Sequence, residues 1–391
     1  MADFNRPIRS IAEPGIKVPY KEGVAELRQE VAKLLGRTQT SFPGAQPVSF
    51  TREHLNELMQ EDYYVCEKSD GIRYLLYLTT DEQGGEVQYL IDRKNDFWYN
   101  NNRNLHFPRL EDRQAFHDRS IIDGELVMDD EGNGNLVPRF LVFDCLVLGG
   151  KNLMDRTLDK RVAYFKEMIY RPYKDLLAEF PAERQYQPFE VQFKDMQFAY
   201  GTEMIFSRVL PSLKHGNDGL IFTCRNTPYK HGTDRHILKW KPPEENTIDC
   251  RLRLQFPLVE PDEHDVAEGV TQAYTDYEAV PKAELWKFMG DSGPNKYKYF
   301  VDVYISEDEW ETLKSIGDPL DDRIVECYLD EQKRWRISRF RDDKTEGNHY
   351  SVLDSVLRSI EDGVTQKDLL AVQNQIRDAW KQREQKRRSD N

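Results

Sequence analysis

Between Tyr63 and Leu148 the sequence repeats one pattern, a run of β-branched and aromatic residues broken by a turn signal. The runs are YYVCEK, RYLLYL, VQYLIDR, SIIDGELVM and RFLVFDCLVL, and each reads as a strand. EGNG at 131–134 reads as the hairpin turn joining the last two. Helical spacing returns at Leu158–Leu177 and near Ala199–Leu213, and two more strands follow, DGLIFTC and ILKWK. Strand runs with helices inserted irregularly predict an α+β fold of antiparallel sheets, not a doubly wound parallel sheet.

At KPPEENT (241–247) the composition breaks. Beyond it RLRLQF, YKYFVDVYI, RIVECYL and RWRISRFR are short strands, with one helical piece, SEDEWETLKSI. They predict a small β-barrel of about five strands. Residues 349–391 turn helical, with Leu369, Val372, Ile376 and Trp380 on one face. The expected organisation is a first domain over 1–244, with the helices of 349–391 packing back on it, and a barrel domain over 245–348. The first 45 or so residues, with Pro7, Pro14, Pro19 and Pro43 around a helical stretch at Val24–Leu35, read as an arm on the body.

A chain of 391 residues, 39% of them hydrophobic, exceeds one average domain. No apolar run approaches the roughly 20 residues that span a bilayer, and MADFNRPIRSIAEPG lacks a secretory leader's apolar stretch. A soluble protein made in the cytosol is expected. Five single cysteines without a CxxC pair predict buried thiols, neither a disulfide framework nor a zinc site. The net charge of −14 excludes a basic coat gripping long stretches of phosphate backbone. It leaves open a local basic cleft for a nucleotide and one RNA end.

The chemistry concentrates at strand ends. In CEKSDGIR, Lys68 ends one strand, Ser69-Asp70-Gly71 turns, and Arg73 enters the next. Alone, this is a charged hairpin turn. Downstream, Asp123-Gly124-Glu125 lies inside an apolar run, where a charge costs energy without a partner or a task. Asp218-Gly219 opens another, and Lys239 and Lys241 alternate in ILKWKP, so both project to one face with Trp240 on the other. A sheet face with two lysines, two carboxylates and an arginine is expensive without a polyanionic ligand and a metal.

KSDGIR matches the KxDGxR signature of the covalent nucleotidyltransferases, which comprise mRNA capping guanylyltransferases and polynucleotide ligases. IDGEL, FLVFD, DGLIF and LKWKP follow in that superfamily's order. WRISRFRDDK (335–344), with Asn348 after it, resembles the RxRxDK block of capping enzymes, and TID at 247–249 resembles the same branch. The resemblance covers roughly residues 20–350. No Cys-x5-Arg phosphatase signature precedes it, so the chain looks most like the fungal type, in which guanylyltransferase is a separate polypeptide.

The resemblance implies an OB-fold barrel and a Lys68–GMP phosphoramidate made from GTP, with Mg²⁺ or Mn²⁺, and passed to 5′-diphosphate RNA. A free lysine is almost wholly protonated at neutral pH, so nearby cations (Lys239, Lys241, Arg73 and a metal) are expected to free its lone pair. Lys239 and Lys241 are expected on α-phosphate oxygens, and Arg73 and Asp123 among the GTP contacts. The resemblance gives Arg93 and Glu125 ribose contacts, Phe143 the guanine face and Asp218 the metal. Arg339, Arg341, Asp343 and Lys344 would take the β- and γ-phosphates. Phe143 as core and Arg93 as a solvated turn residue stay open, and His215 reads as structural. Implied partners are an RNA 5′-triphosphatase and the phosphorylated tail of RNA polymerase II, in the nucleus. The basic run at 381–388 reads as a solvated helix end, with a nuclear signal as the alternative. Rival functions are an ATP-dependent ligase and a silent docking subunit on the polymerase tail.

Overall fold

The computed structural model describes residues 15–19, 21–99, 105–291, 293 and 295–389; Pro7 and Pro14 of the expected arm lie outside them. The described chain divides into two compact units, one of residues up to 241 with 364–389, the other of 242–363.

The first unit carries two sheets. The larger is built on Ile72–Thr80, Glu86–Ile91, Ser120–Asp130 and Leu136–Leu148, paired antiparallel. The smaller orders Gln197–Phe198, Tyr63–Ser69, Asn217–Cys224, Gly232–Trp240 and Ala45–Ser49. Each sheet also holds one parallel pairing that an all-antiparallel reading lacks. Glu190–Phe193 lies along Leu136–Leu148, and Ala45–Ser49 along Gly232–Trp240. Glu190–Phe193 returns through the helical segment 158–186, and the long chain between Ser49 and Gly232 likewise allows a parallel neighbour.

Two glycines let the sheets close. A Cβ on Gly71 would come 2.6 Å from the Leu126 carbonyl oxygen, so the turn after Lys68 admits only hydrogen there. Gly219 has φ +138, and a Cβ there would meet the Trp240 carbonyl oxygen at 2.0 Å. The smaller sheet buries its back on Gln366–Ser389, with Leu369 and Ile376 under 4% exposed beside Val65, Leu220 and Leu238. Burial of one such side chain is worth about 2 kcal/mol. Trp380 joins through the rings of Phe198 and Tyr200, 4.9 and 5.6 Å away.

The second unit is a closed barrel of Thr247–Gln255, Lys282–Phe288, Tyr297–Val303, Ile324–Leu329 and Trp335–Phe340. Around it the strands run first, second, third, fifth, fourth, with helix Glu307–Lys314 between the third and fourth, the OB arrangement. Ser306 caps that helix, its side chain accepting from the Glu309 amide while Glu309 reaches back. Helix Tyr350–Glu361 corrects the expected grouping of 349–391. Leu353, fully buried, packs with Val356, Leu357 and Ile360 into the barrel's core. Residues 349–363 thus belong to the barrel, and the break falls at Gly363-Val364. One apolar face in sequence does not say which core covers it.

Candidate active site

Lys68 ends the strand Tyr63–Ser69, and its Nζ lies 2.5 Å from Asp218 Oδ1, 150 residues away. Asp218 opens the neighbouring strand, and its second oxygen is ion-paired with Lys241. Burial opposes the Asp218 charge, but Lys68 and Lys241 outweigh it and hold its carboxyl below the ordinary range. Lys239, half-buried two residues before Lys241, has no ion-pair partner among the described residues. Burial, then Lys241, Lys68 and Arg93, lower its pKa. Three lysines therefore share one carboxylate, and the surplus of positive charge suits a polyanion. Alternation delivers this arrangement, since Trp240 between the two lysines is 2% exposed and its indole donates to the Val364 carbonyl at 2.7 Å.

Arg73 and Asp123 come together differently from the expectation. Asp123 is fully buried and takes both Arg73 Nε (2.9 Å) and Nη2 (2.6 Å), a fork-to-fork pair, while the Tyr229 hydroxyl donates to it at 2.7 Å. With no exposed surface and its oxygens taken, Asp123 has nothing to offer a nucleotide. It is corrected to a residue that holds Arg73, and Arg73's charge is already matched. Phe143 is half-buried and outside the hydrophobic clusters of the described residues, with the Arg73 guanidinium 5.5 Å from its ring centroid. Arg93 is exposed just past the strand Glu86–Ile91.

Lys194 was invisible in the sequence. It is 4% exposed, and its Nζ lies 2.5 Å from Ser69 Oγ and 3.5 Å from carboxylate oxygens of both Glu67 and Glu125. Burial opposes its charge, and Glu67, then Cys66 and Glu125, raise its pKa. Glu125 is thereby held at the margin of the site, its side chain 17% exposed. No local pattern announces Lys194, whose partners lie 69 to 127 residues upstream.

The barrel gathers a second cationic cluster. Lys344 Nζ lies 2.5 Å from Asp249, Arg341 reaches Asp249 at 3.2 Å, and Arg339 Nε donates to Glu326 at 2.6 Å. Arg341 also grips Asp343 with two bonds, of 2.9 and 2.8 Å, and that hydrogen bonding holds the Asp343 carboxyl down to about 2. Asn348 exchanges backbone bonds with Asp249 through its amide (2.7 Å) and side-chain oxygen (2.8 Å). The TID and RFRDDK segments are thus two halves of one ionic cluster.

The model of the mRNA capping enzyme catalytic domain matches residues 9–243, and that of the mRNA capping enzyme C-terminal domain matches 245–370. The chain belongs to the mRNA capping enzyme family. Among relatives, the mRNA-capping enzyme subunit alpha of Neurospora crassa is 58% identical over 98% of this chain and 96% of its own length. That of Schizosaccharomyces pombe is 44% identical over 97% and 91%, and that of Saccharomyces cerevisiae 35% identical over 92% and 84%. Family membership makes the chain an mRNA guanylyltransferase, a nucleotidyltransferase. In capping-enzyme terms the first unit holds the lysine cluster and the second the arginine block.

Among the described residues no three His, Cys, Asp or Glu side chains group as a metal cage. One carboxylate, Asp218, among a surplus of lysines still fits Mg²⁺, which favours one or two carboxylates plus substrate phosphates. No helix among the described residues is long and apolar enough to cross a membrane.

Proposed function

We propose that Lys68 is the nucleophile that carries GMP. Its ammonium first gives up a proton to water, which returns one to the amine at the end of the cycle. The free Nζ then attacks the α-phosphorus of GTP, forming the N–P bond as the α–β bridging bond breaks and pyrophosphate leaves. In the second step a terminal oxygen of 5′-diphosphate RNA attacks the same phosphorus, the N–P bond breaks, the amine is reprotonated and GpppRNA leaves. Lys239 and Lys241 donate to the α-phosphate oxygens as charge builds there. Arg73, fixed by Asp123, and Phe143 flank the nucleotide, with Glu125 and Arg93 as ribose contacts. Arg339, Arg341 and Lys344 exchange their carboxylate partners for β- and γ-phosphates. Asp218 is the residue to hold Mg²⁺ or Mn²⁺, which when bound neutralises phosphate charge.

The observation that carries this reading is the surplus of cations around Lys68, with Lys239 unpaired beside the Lys68–Asp218–Lys241 chain. Incubation with α-³²P-labelled GTP or ATP tests it. GTP is expected to give an acid-labile adduct that Lys68→Ala loses. Equal labelling by ATP would favour a ligase, and adduct on the Ala variant would remove Lys68 from its role. The reading extends to nuclear work beside an RNA 5′-triphosphatase subunit and the phosphorylated RNA polymerase II tail, in keeping with relatives named as alpha subunits.

A further inference from the structure

Behind the nucleophile lies a buried ionic junction that the proposed chemistry does not use. His215 stands at its centre, its side chain 7% exposed. Its Nδ1 is 2.6 Å from Asp129 Oδ1, and its Nε2, buried without a hydrogen-bond partner, points to Glu67 Oε1 at 3.9 Å. Both ring nitrogens face carboxylates, an arrangement that suits the imidazolium with two N–H groups. Burial lowers the His215 pKa, but Glu67 and Asp129 outweigh it and raise it. The surrounding charges are matched in turn. Glu67 also faces Lys194, and Asp129 is ion-paired with Arg139, which holds Glu131 and Glu190. Lys214 takes the other oxygen of Glu131.

The junction ties together three pieces of backbone. Glu67 precedes Lys68 on its strand and projects to the opposite face. Asp129 lies on Ser120–Asp130, the strand of Glu125. The His215 segment leads directly into Asp218, and backbone bonds flank it, the Asp130 amide donating to the Lys214 carbonyl and the Asp70 amide to that of Gly216, both at 2.8 Å. Lys68 and Asp218 meet at 2.5 Å on the front of the same two strands.

We propose that His215 is a positioning residue for nucleotidyl transfer, bracing from behind the strand end of Lys68 against the turn that leads into Asp218. The inference rests on Lys68 being the nucleophile. Single-turnover adduct formation, followed over a range of GTP concentrations, tests it with His215→Leu, His215→Gln, Glu67→Gln and the Leu/Gln double variant. His215→Leu is expected to slow the step at saturating GTP by on the order of a hundredfold, the cost of a misplaced reacting group. Half-saturating GTP should move by no more than about twofold, because uniform binding is untouched. His215→Gln, which keeps one donor, should recover about tenfold of that loss. The double variant should be no slower than His215→Leu alone, since one brace is lost once. Wild-type rates in His215→Gln and Glu67→Gln would overturn the brace, even if His215→Leu failed to fold. Additive losses in the double variant, or losses confined to half-saturation, would overturn it too. Failure of the wild type itself to label on Lys68 would remove the nucleophile and the brace together, whereas normal wild-type labelling with unslowed variants removes the brace alone.

Discussion

The two cationic clusters of this chain are built from the same residue types and balanced in opposite ways. In the first unit Lys68, Lys239 and Lys241 share one carboxylate, Asp218, and Lys239 is left among like charges. In the barrel, Arg339, Arg341 and Lys344 meet three carboxylates, Glu326, Asp249 and Asp343. The first cluster is short of negative charge and favours any anion that enters. The second is satisfied as it stands and takes a phosphate only by giving up a carboxylate. A deficit of charge recruits a ligand, whereas a balanced cluster stabilises its own fold and responds only to a stronger anion.

The sharpest attempt to break this contrast is Lys68→Arg, which keeps the charge of the first cluster and removes the nucleophile. An arginine holds its proton beyond pH 12 or so, so covalent labelling should vanish while GTP binding, read by equilibrium dialysis, survives. Next come Arg339→Ala and Lys344→Ala. Each should slow adduct formation about a hundredfold, the usual worth of one transition-state donor. Transfer of GMP from purified adduct to diphosphate RNA should stay near normal, because the β- and γ-phosphates have gone by then. Equal slowing of both steps would mean that these residues serve the fold or the RNA instead.

Stability measurements read the same contrast more gently. Asp249→Asn strips the barrel cluster of the carboxylate between Lys344 and Arg341, and should cost about 2 kcal/mol in denaturant unfolding. Lys239→Met should do the reverse, abolishing activity yet raising the melting temperature by about 2 °C at pH 7. The size of that gain changes with pH in one direction only. Burial and the neighbouring cations lower the Lys239 pKa, so the folded chain sheds that proton before the unfolded chain does. As pH rises through the window below its ordinary 10.5, the wild type sheds the repulsion and the variant's advantage shrinks. A Lys239→Met chain no more stable than wild type at pH 7 would refute the charge surplus.

What was legible in the sequence follows from the range of the interactions. Lys68, Asp218, Lys239 and Lys241 announce themselves through strand alternation and charges set in apolar runs, both local patterns. Lys194, Glu67 and His215 do not, because their partnerships span up to 148 residues and arise only when two sheets meet. The sequence alone makes Arg73 and Asp123 ligand contacts, because a buried charge needs a partner. The structure supplies that partner within the protein, as a diagonal pair across strands Ile72–Thr80 and Ser120–Asp130, where Arg73 lies opposite Glu125 and Asp123 opposite Leu75. In the barrel, Lys282–Phe288 escaped the strand reading. Its Lys282 and Glu284 look solvated in sequence but pair with each other at 2.8 Å along the strand.

The indole of Trp240 has a consequence in time. It sits between Lys239 and Lys241 and donates to the carbonyl of Val364, the first residue of the segment that leads into the 366–389 helix. The whole barrel lies between these two residues in the chain. At a ribosomal pace of about 5–20 residues per second, the lysine strand waits roughly ten seconds before the helix that backs it is made. During that interval the smaller sheet lacks Leu369 and Ile376, the side chains that cover its apolar back.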